Sequence, residues 1–122
     1  MSRILVIDDD IQIQELLREV LETAGHEVTT TGDARRGLAL FREAPFSLVI
    51  TDILMPSKEG LETIQELRRE APDVKIVAIS AGFHWAGFDV LELAKRVGAT
   101  SILQKPFDIP TLLRTVEDVL RA

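Results

Sequence analysis

Two kinds of hydrophobic pattern alternate along the chain. Short apolar runs, "RILVI" at 3–7, "SLVITD" at 47–52, "KIVAIS" at 75–80 and "SILQ" at 101–104, are separated by longer segments whose apolar residues recur every three or four positions. A run of this kind fits a strand buried on both faces, and the helical recurrence fits an amphipathic helix with one face in the core. "HEVTTT" at 26–31 adds a further β-rich run. Ile13, Leu16, Leu17, Val20, Leu21 and Ala24 predict a first helix, capped by Asp10 and ended by Gly25. Asp33 can cap "ARRGLALFREA", which stops before Pro45, and "LETIQELRREA" stops before Pro72. Residues 88–97, "FDVLELAKRV", predict a fourth helix closed by Gly98, and "IPTLLRTVEDVLRA" a fifth with Pro110 in its first turn. Five strands and five helices in strict alternation predict a parallel sheet with right-handed crossovers, a doubly wound three-layer α/β sandwich.

Composition narrows this little but excludes much. The 122 residues predict one domain over 1–122, with nothing left for an output domain. Hydrophobic residues at 46% and charged residues at 28% suit a folded globular chain. No apolar run approaches the about 18 residues of a membrane span, and the N-terminus lacks the pattern of a signal peptide, so a cytoplasmic chain is expected. The absence of cysteine excludes disulfides, thiolate metal sites and cysteine nucleophiles, and the two histidines, His26 and His84, are far apart. A net charge of -6 argues against direct nucleic-acid binding.

In a doubly wound sheet, ligands bind outside the carboxyl ends of the strands. Those ends carry Asp8, Asp9 and Asp10 on the first strand, Asp52 on the third, Ser80 on the fourth and Lys105 after the fifth. Asp10 is accounted for as a helix cap. Asp8, Asp9 and Asp52 would repel one another in a partly buried site unless a cation held them, and a few carboxylates with open positions suit Mg2+ better than Ca2+. Singly, Asp52 reads as a turn-former, Lys105 as a snorkelling surface residue and Ser80 as uninformative. Together they form a set able to neutralise and hydrogen-bond a phosphoryl group beside a carboxylate nucleophile. Pro106 restricts Lys105 and allows a cis peptide between them.

These residues resemble the receiver domain of bacterial two-component response regulators, from about residue 3 to the C-terminus. "ILVIDDD" is similar to the family's first strand and acidic pair, "DILMPSKEG" to its D-x-x-M-P-x-x-x-G pattern around the phosphoacceptor, and "KPF" to its conserved-lysine turn. The resemblance implies a flavodoxin-like sheet of strand order 2-1-3-4-5 and phosphorylation of Asp52 by a histidine kinase or phosphotransfer protein. It implies direct Mg2+ ligation by Asp9 and Asp52, ligation by Asp8 through water, and a backbone ligand from the Leu54 carbonyl. Ser80 would be the switch hydroxyl and Lys105 the phosphoryl partner. Phosphorylation would add about -1.5 to -2 charges at the rim and reshape the face of the fourth helix, fifth strand and fifth helix, where an unidentified downstream protein binds. The domain would assist its own phosphotransfer and dephosphorylation and turn over no outside substrate, as a monomer or a weak phosphorylation-dependent dimer.

Two features depart from the family pattern. Ile102 stands where an aromatic commonly reports the switch, and the connection from Ser80 to Gly98 is longer than usual and rich in aromatics. Phe83, Trp85 and Phe88 are expected to pack as a local core over that connection, with a partner surface or lid as the functional alternative. An apolar Leu54, with Gly82 at the other position that influences water attack in the family, predicts a long-lived phosphoryl group. Two other functions compete: a non-phosphorylated pseudo-receiver, against which the intact acid, serine and lysine set argues, and an aspartyl phosphatase of the haloacid dehalogenase type. The latter wants D-x-D followed by a small residue, whereas Asp10 is followed by Ile11 and Gln12.

Overall fold

The computed structural model describes residues 1–53, 60–81, 84–85 and 88–122, with the side chains of 60, 84–85 and 88–91 left aside. In chain order the elements are β1 (Arg3–Ile7), α1 (Ile11–Thr23), β2 (Glu27–Thr31), α2 (Ala34–Glu43), β3 (Leu48–Asp52), α3 (Gly60–Glu70), β4 (Lys75–Ser80), β5 (His84–Trp85), β6 (Phe88–Asp89), α4 (Val90–Val97), β7 (Ser101–Gln104) and α5 (Ile109–Arg121). The main sheet is parallel in the order β2-β1-β3-β4-β7, which is the expected 2-1-3-4-5 order with β7 as the fifth sheet strand.

The strands read as unbroken apolar runs because each side of the sheet is buried in its own layer. Leu5 and Ile7 of β1, Val49 of β3, and Ile76 and Ala78 of β4 pack with Leu38 of α2, Ile64 and Leu67 of α3 and Ala94 of α4. Their neighbours Ile4 and Val6, Leu48 and Ile50, and Val77 and Ile79 turn the other way, against Leu17 and Leu21 of α1 and Leu112, Val116 and Val119 of α5. Three helices thus cover one face and two the other.

Local chemistry sets the helix limits. Asp10, Asp33 and Asp108 accept hydrogen bonds from the amides of Gln12, Arg35 and Thr111 and so cap α1, α2 and α5. Gly25, at φ 95°, ends α1 with His26 N–H donating to the Leu21 carbonyl and its own N–H to that of Glu22. Gly98, at φ 134°, ends α4 with the same pair of bonds, from Ala99 to Ala94 and from Gly98 to Lys95.

One connection differs from expectation. The predicted fourth helix over 88–97 begins at Val90, and Phe88–Asp89 pair antiparallel with His84–Trp85 in register His84↔Asp89 and Trp85↔Phe88. Aromatic residues favour strand over helix, so Trp85 and Phe88 suit this pairing better than another helical turn. Phe83 lies outside the described residues. No helix among the described residues is long and apolar enough to cross a membrane.

Candidate functional site

Because all five sheet strands run parallel, their carboxyl ends share one rim, and the polar residues that end them are brought together there. The Lys105 ammonium is the centre of the cluster, with Nζ 3.0 Å from Asp8 Oδ2 and 3.2 Å from Asp52 Oδ2. Asp8 and Ser80 are fully buried, Asp52 is 5% exposed, and Asp9 faces solvent. Carboxylate oxygens of Asp8, Asp9 and Asp52 lie within 4.8 Å of one another.

Lys105 is aimed by its backbone. Its N–H donates to the Ser80 carbonyl at 2.6 Å, which extends the β4–β7 ladder by one step, and its peptide bond to Pro106 is cis. The backbone of Ser80 therefore positions Lys105. On the acidic side, Asp8 Oδ1 accepts from the Asp10 N–H at 2.8 Å, leaving Oδ2 for Lys105.

Charge in the cluster is out of balance. Burial pushes the Asp8 carboxyl above its usual range, and the Asp52 charge adds to the rise; the Asp10 N–H and Lys105 oppose it without cancelling it. For Lys105 the largest single effect is burial, which lowers its pKa, but the Asp8 hydrogen bond and the charges of Asp52 and Asp8 outweigh it and leave the ammonium above its ordinary value. Among the described residues, one cation thus pairs with two of the three clustered carboxylates. Donors around an octahedral Mg2+ at about 2.1 Å stand about 3.0 Å apart when cis and about 4.2 Å when trans, so the oxygens of Asp8, Asp9 and Asp52, all within 4.8 Å of one another, would draw closer to hold a hard divalent ion directly or through water.

Of the residues predicted from sequence, Asp8, Asp9, Asp52, Ser80 and Lys105 all lie at this rim, while Leu54 and Gly82 fall outside the described residues. Two polar residues escaped the sequence reading. Gln14, 9% exposed, donates from Nε2 to the Asp8 main-chain carbonyl at 2.7 Å. The buried Thr51 hydroxyl donates to the Asp52 carbonyl at 3.1 Å. Gln14 had a legible signal: it lies three and seven residues before Leu17 and Leu21, so it is a polar residue on the buried face of α1.

Comparison with known proteins agrees with this geometry. The response regulator receiver domain matches residues 4–117. The DNA-binding transcriptional regulator NtrC of Azospirillum brasilense is 37% identical over 121 residues, which are 99% of this chain and 24% of that protein. The response regulator receiver protein CpdR of Brucella abortus is 34% identical over 125 residues, covering 100% of this chain and 99% of its own. The first three curated relatives are longer, and the chain spans 24%, 46% and 51% of their lengths. Among solved structures, the chemotaxis protein CheY4 of Vibrio cholerae superposes with a TM-score of 0.87 at 33% identity over 98% of each chain. The Thermotoga maritima response regulator TrrA in complex with Mg2+-BeF gives 0.85 at 34% identity, over 98% of this chain and 99% of that one. By sequence and by fold, the chain belongs to the response regulator receiver domain family, the phosphorylation-controlled signalling module of two-component systems.

Proposed function

We propose that Asp52 accepts a phosphoryl group from a phosphohistidine of a histidine kinase or phosphotransfer protein, with Mg2+ held by Asp9, Asp52 and the Leu54 carbonyl directly and by Asp8 through water. The observation that carries this reading is the Lys105 ammonium lying between Asp8 and Asp52, with the exposed Asp9 beside them. A buried carboxylate next to a lysine and a serine suits attack on phosphorus better than a purely structural role.

In the proposed step an Asp52 oxygen attacks phosphorus in line with the donor imidazole nitrogen. The new O–P bond forms as the P–N bond breaks; the imidazole keeps the electron pair, and the product is an acyl phosphate. Bound Mg2+ supplies neutralising charge to the phosphoryl oxygens. Lys105 exchanges Asp52 Oδ2 for a phosphoryl oxygen, and the Ser80 hydroxyl donates to another. Lys105 and Ser80 are already joined by the bond from the Lys105 N–H to the Ser80 carbonyl, so displacement at one carries to the other. The proposed output is a shift at the face of α4, β7 and α5, read by a downstream protein.

Intact mass after incubation with acetyl phosphate and Mg2+, on wild type and Asp52→Ala, tests this reading. One Mg2+-dependent phosphoryl adduct is expected on wild type and none on the variant. An adduct that survives Asp52→Ala would place the acceptor elsewhere, and its absence from wild type would remove the phosphoacceptor role.

A further inference from the structure

Asp8 is fully buried, so its main-chain carbonyl needs a donor. The regular ladder does not provide one. The Asp8 N–H donates to the Thr31 carbonyl at 3.0 Å, and in a parallel pair the return bond would come from the amide two residues beyond Thr31, that of Asp33. The Asp33 amide instead faces Thr31 Oγ1 at 3.3 Å, at the point where the Asp33 carboxylate caps α2. Starting α2 removes the return donor.

The missing donor comes from α1. Gln14 Nε2 reaches the Asp8 carbonyl at 2.7 Å, and since that carbonyl only accepts, the amide is fixed with its nitrogen toward it. Gly32 leaves the room. A Cβ there would stand 3.2 Å from Gln14 Nε2 and 3.6 Å from both the Asp8 carbonyl oxygen and Asp9 Cα. The Gln14 amide, Gly32 and the Asp8–Asp9 peptide therefore pack as one unit behind the acidic rim. That peptide is planar and rigid, so whatever fixes its carbonyl fixes the Cα positions from which both carboxylates depart.

We infer that Gln14 is a positioning residue of the acidic site, holding the Asp8–Asp9 peptide so that two of the three carboxylates point where a divalent cation binds. The inference deepens the function proposed above and rests on its metal site. Gln14 would then govern metal affinity from outside the proposed ligand set.

Isothermal titration of Mg2+ into the full chain tests it, with Gln14→Met as the variant that keeps length and apolar body but loses the donor. Gln14→Met is expected to weaken Mg2+ binding by about tenfold or more, the usual effect of removing a partner that orients a metal ligand. Gly32→Ala should weaken it in the same direction by crowding the amide. Leu17→Ala, one turn beyond Gln14 on the same buried face and with no donor for the Asp8 carbonyl, should lower Tm and leave Mg2+ affinity at the wild-type value. A Gln14→Met affinity within about twofold of wild type, or equal weakening by Leu17→Ala, would overturn the positioning role while leaving the metal site intact. Failure of wild type itself to bind Mg2+ would overturn the functional reading, and this inference with it.

Discussion

The Arg68 guanidinium holds the Gly98 carbonyl with two donors, Nε at 3.2 Å and Nη2 at 2.7 Å, and so ties the end of α3 to the end of α4. Its remaining nitrogen, Nη1, donates to the carbonyls of Pro72 and Val74, both at 2.7 Å. Two connections at the amino-terminal rim of the sheet, α3–β4 and α4–β7, thus depend on one side chain, opposite the acidic rim. Arg68→Met keeps much of the apolar stem but removes every donor. It should destabilise the domain by about 2 to 4 kcal/mol, since bonds from a charged group to the partly buried Gly98 and Val74 carbonyls are each worth more than ordinary ones. Urea denaturation should show a lower midpoint with an unchanged slope; a midpoint equal to wild type would make the clamp energetically idle.

Helix α2 approaches the sheet closely at Gly37, where a Cβ would lie 2.5 Å from Ile7 Cδ1 and 2.8 Å from Ile7 Cγ1. Ile7 is fully buried and cannot swing aside. Although alanine is intrinsically the better helix former, Gly37→Ala should cost about 1 to 3 kcal/mol through overpacking. Pairing it with Ile7→Val, which deletes Cδ1, should recover part of the loss. Additive costs in the double-mutant cycle would rule out the clash as the cause.

How much of this was legible in sequence depends on the range of the interaction. The five sheet strands and five helices were readable because their signals are local: an apolar run that ends in aspartate, an amphipathic repeat, an Asp10 or Asp33 cap, a Gly25 or Gly98 terminus. The gathering of Asp8, Asp52, Ser80 and Lys105 followed from parallel strand order, which brings all carboxyl ends to one rim. The β5–β6 pairing was not legible because two-residue strands are too short to show a period, and Phe88 and Asp89 read as the start of α4. Gln14 and Arg68 were missed for another reason. Each bonds main-chain carbonyls that are exposed by the ending of another element, and no spacing along the chain announces that need.

Lys105 Nζ bonds Asp8 Oδ2 and Asp52 Oδ2, on two of the carboxylates that the proposed Mg2+ would use. Lys105→Gln removes the competing charge and leaves the two carboxylates facing each other. In EDTA the variant should lose roughly 2 to 4 kcal/mol of stability, because a buried ion pair broken on one side leaves charge uncompensated. Calorimetric titration should show tighter Mg2+ binding than wild type, and saturating Mg2+ should return most of the lost stability by linkage. Weaker Mg2+ binding by the variant would mean that Lys105 helps to build the metal site rather than competing with it.

The raised pKa of Asp8 makes its negative charge a cost to the metal-free fold. Burial is the main cause, so between the ordinary carboxylate value and the raised native one the folded state holds the proton more tightly than the unfolded state. Stability in EDTA should therefore fall as pH rises through that window and stay lower above it. Lys105 runs the other way at the alkaline end: its raised pKa contributes stability that is fully present below the ordinary lysine value and lost only as pH passes the native one. Asp8→Asn retains an oxygen for the Asp10 N–H, which lies 2.8 Å from Oδ1, and removes the charge. At neutral pH in EDTA the variant should melt several degrees above wild type, and the difference should vanish below the carboxylate range. Adding Mg2+ should raise the Tm of wild type more than that of Asp8→Asn, which keeps the proposed direct ligands but loses the charge behind the water-mediated one. A variant less stable than wild type in EDTA at neutral pH would mean that the Lys105 ion pair outweighs the cost of burying Asp8.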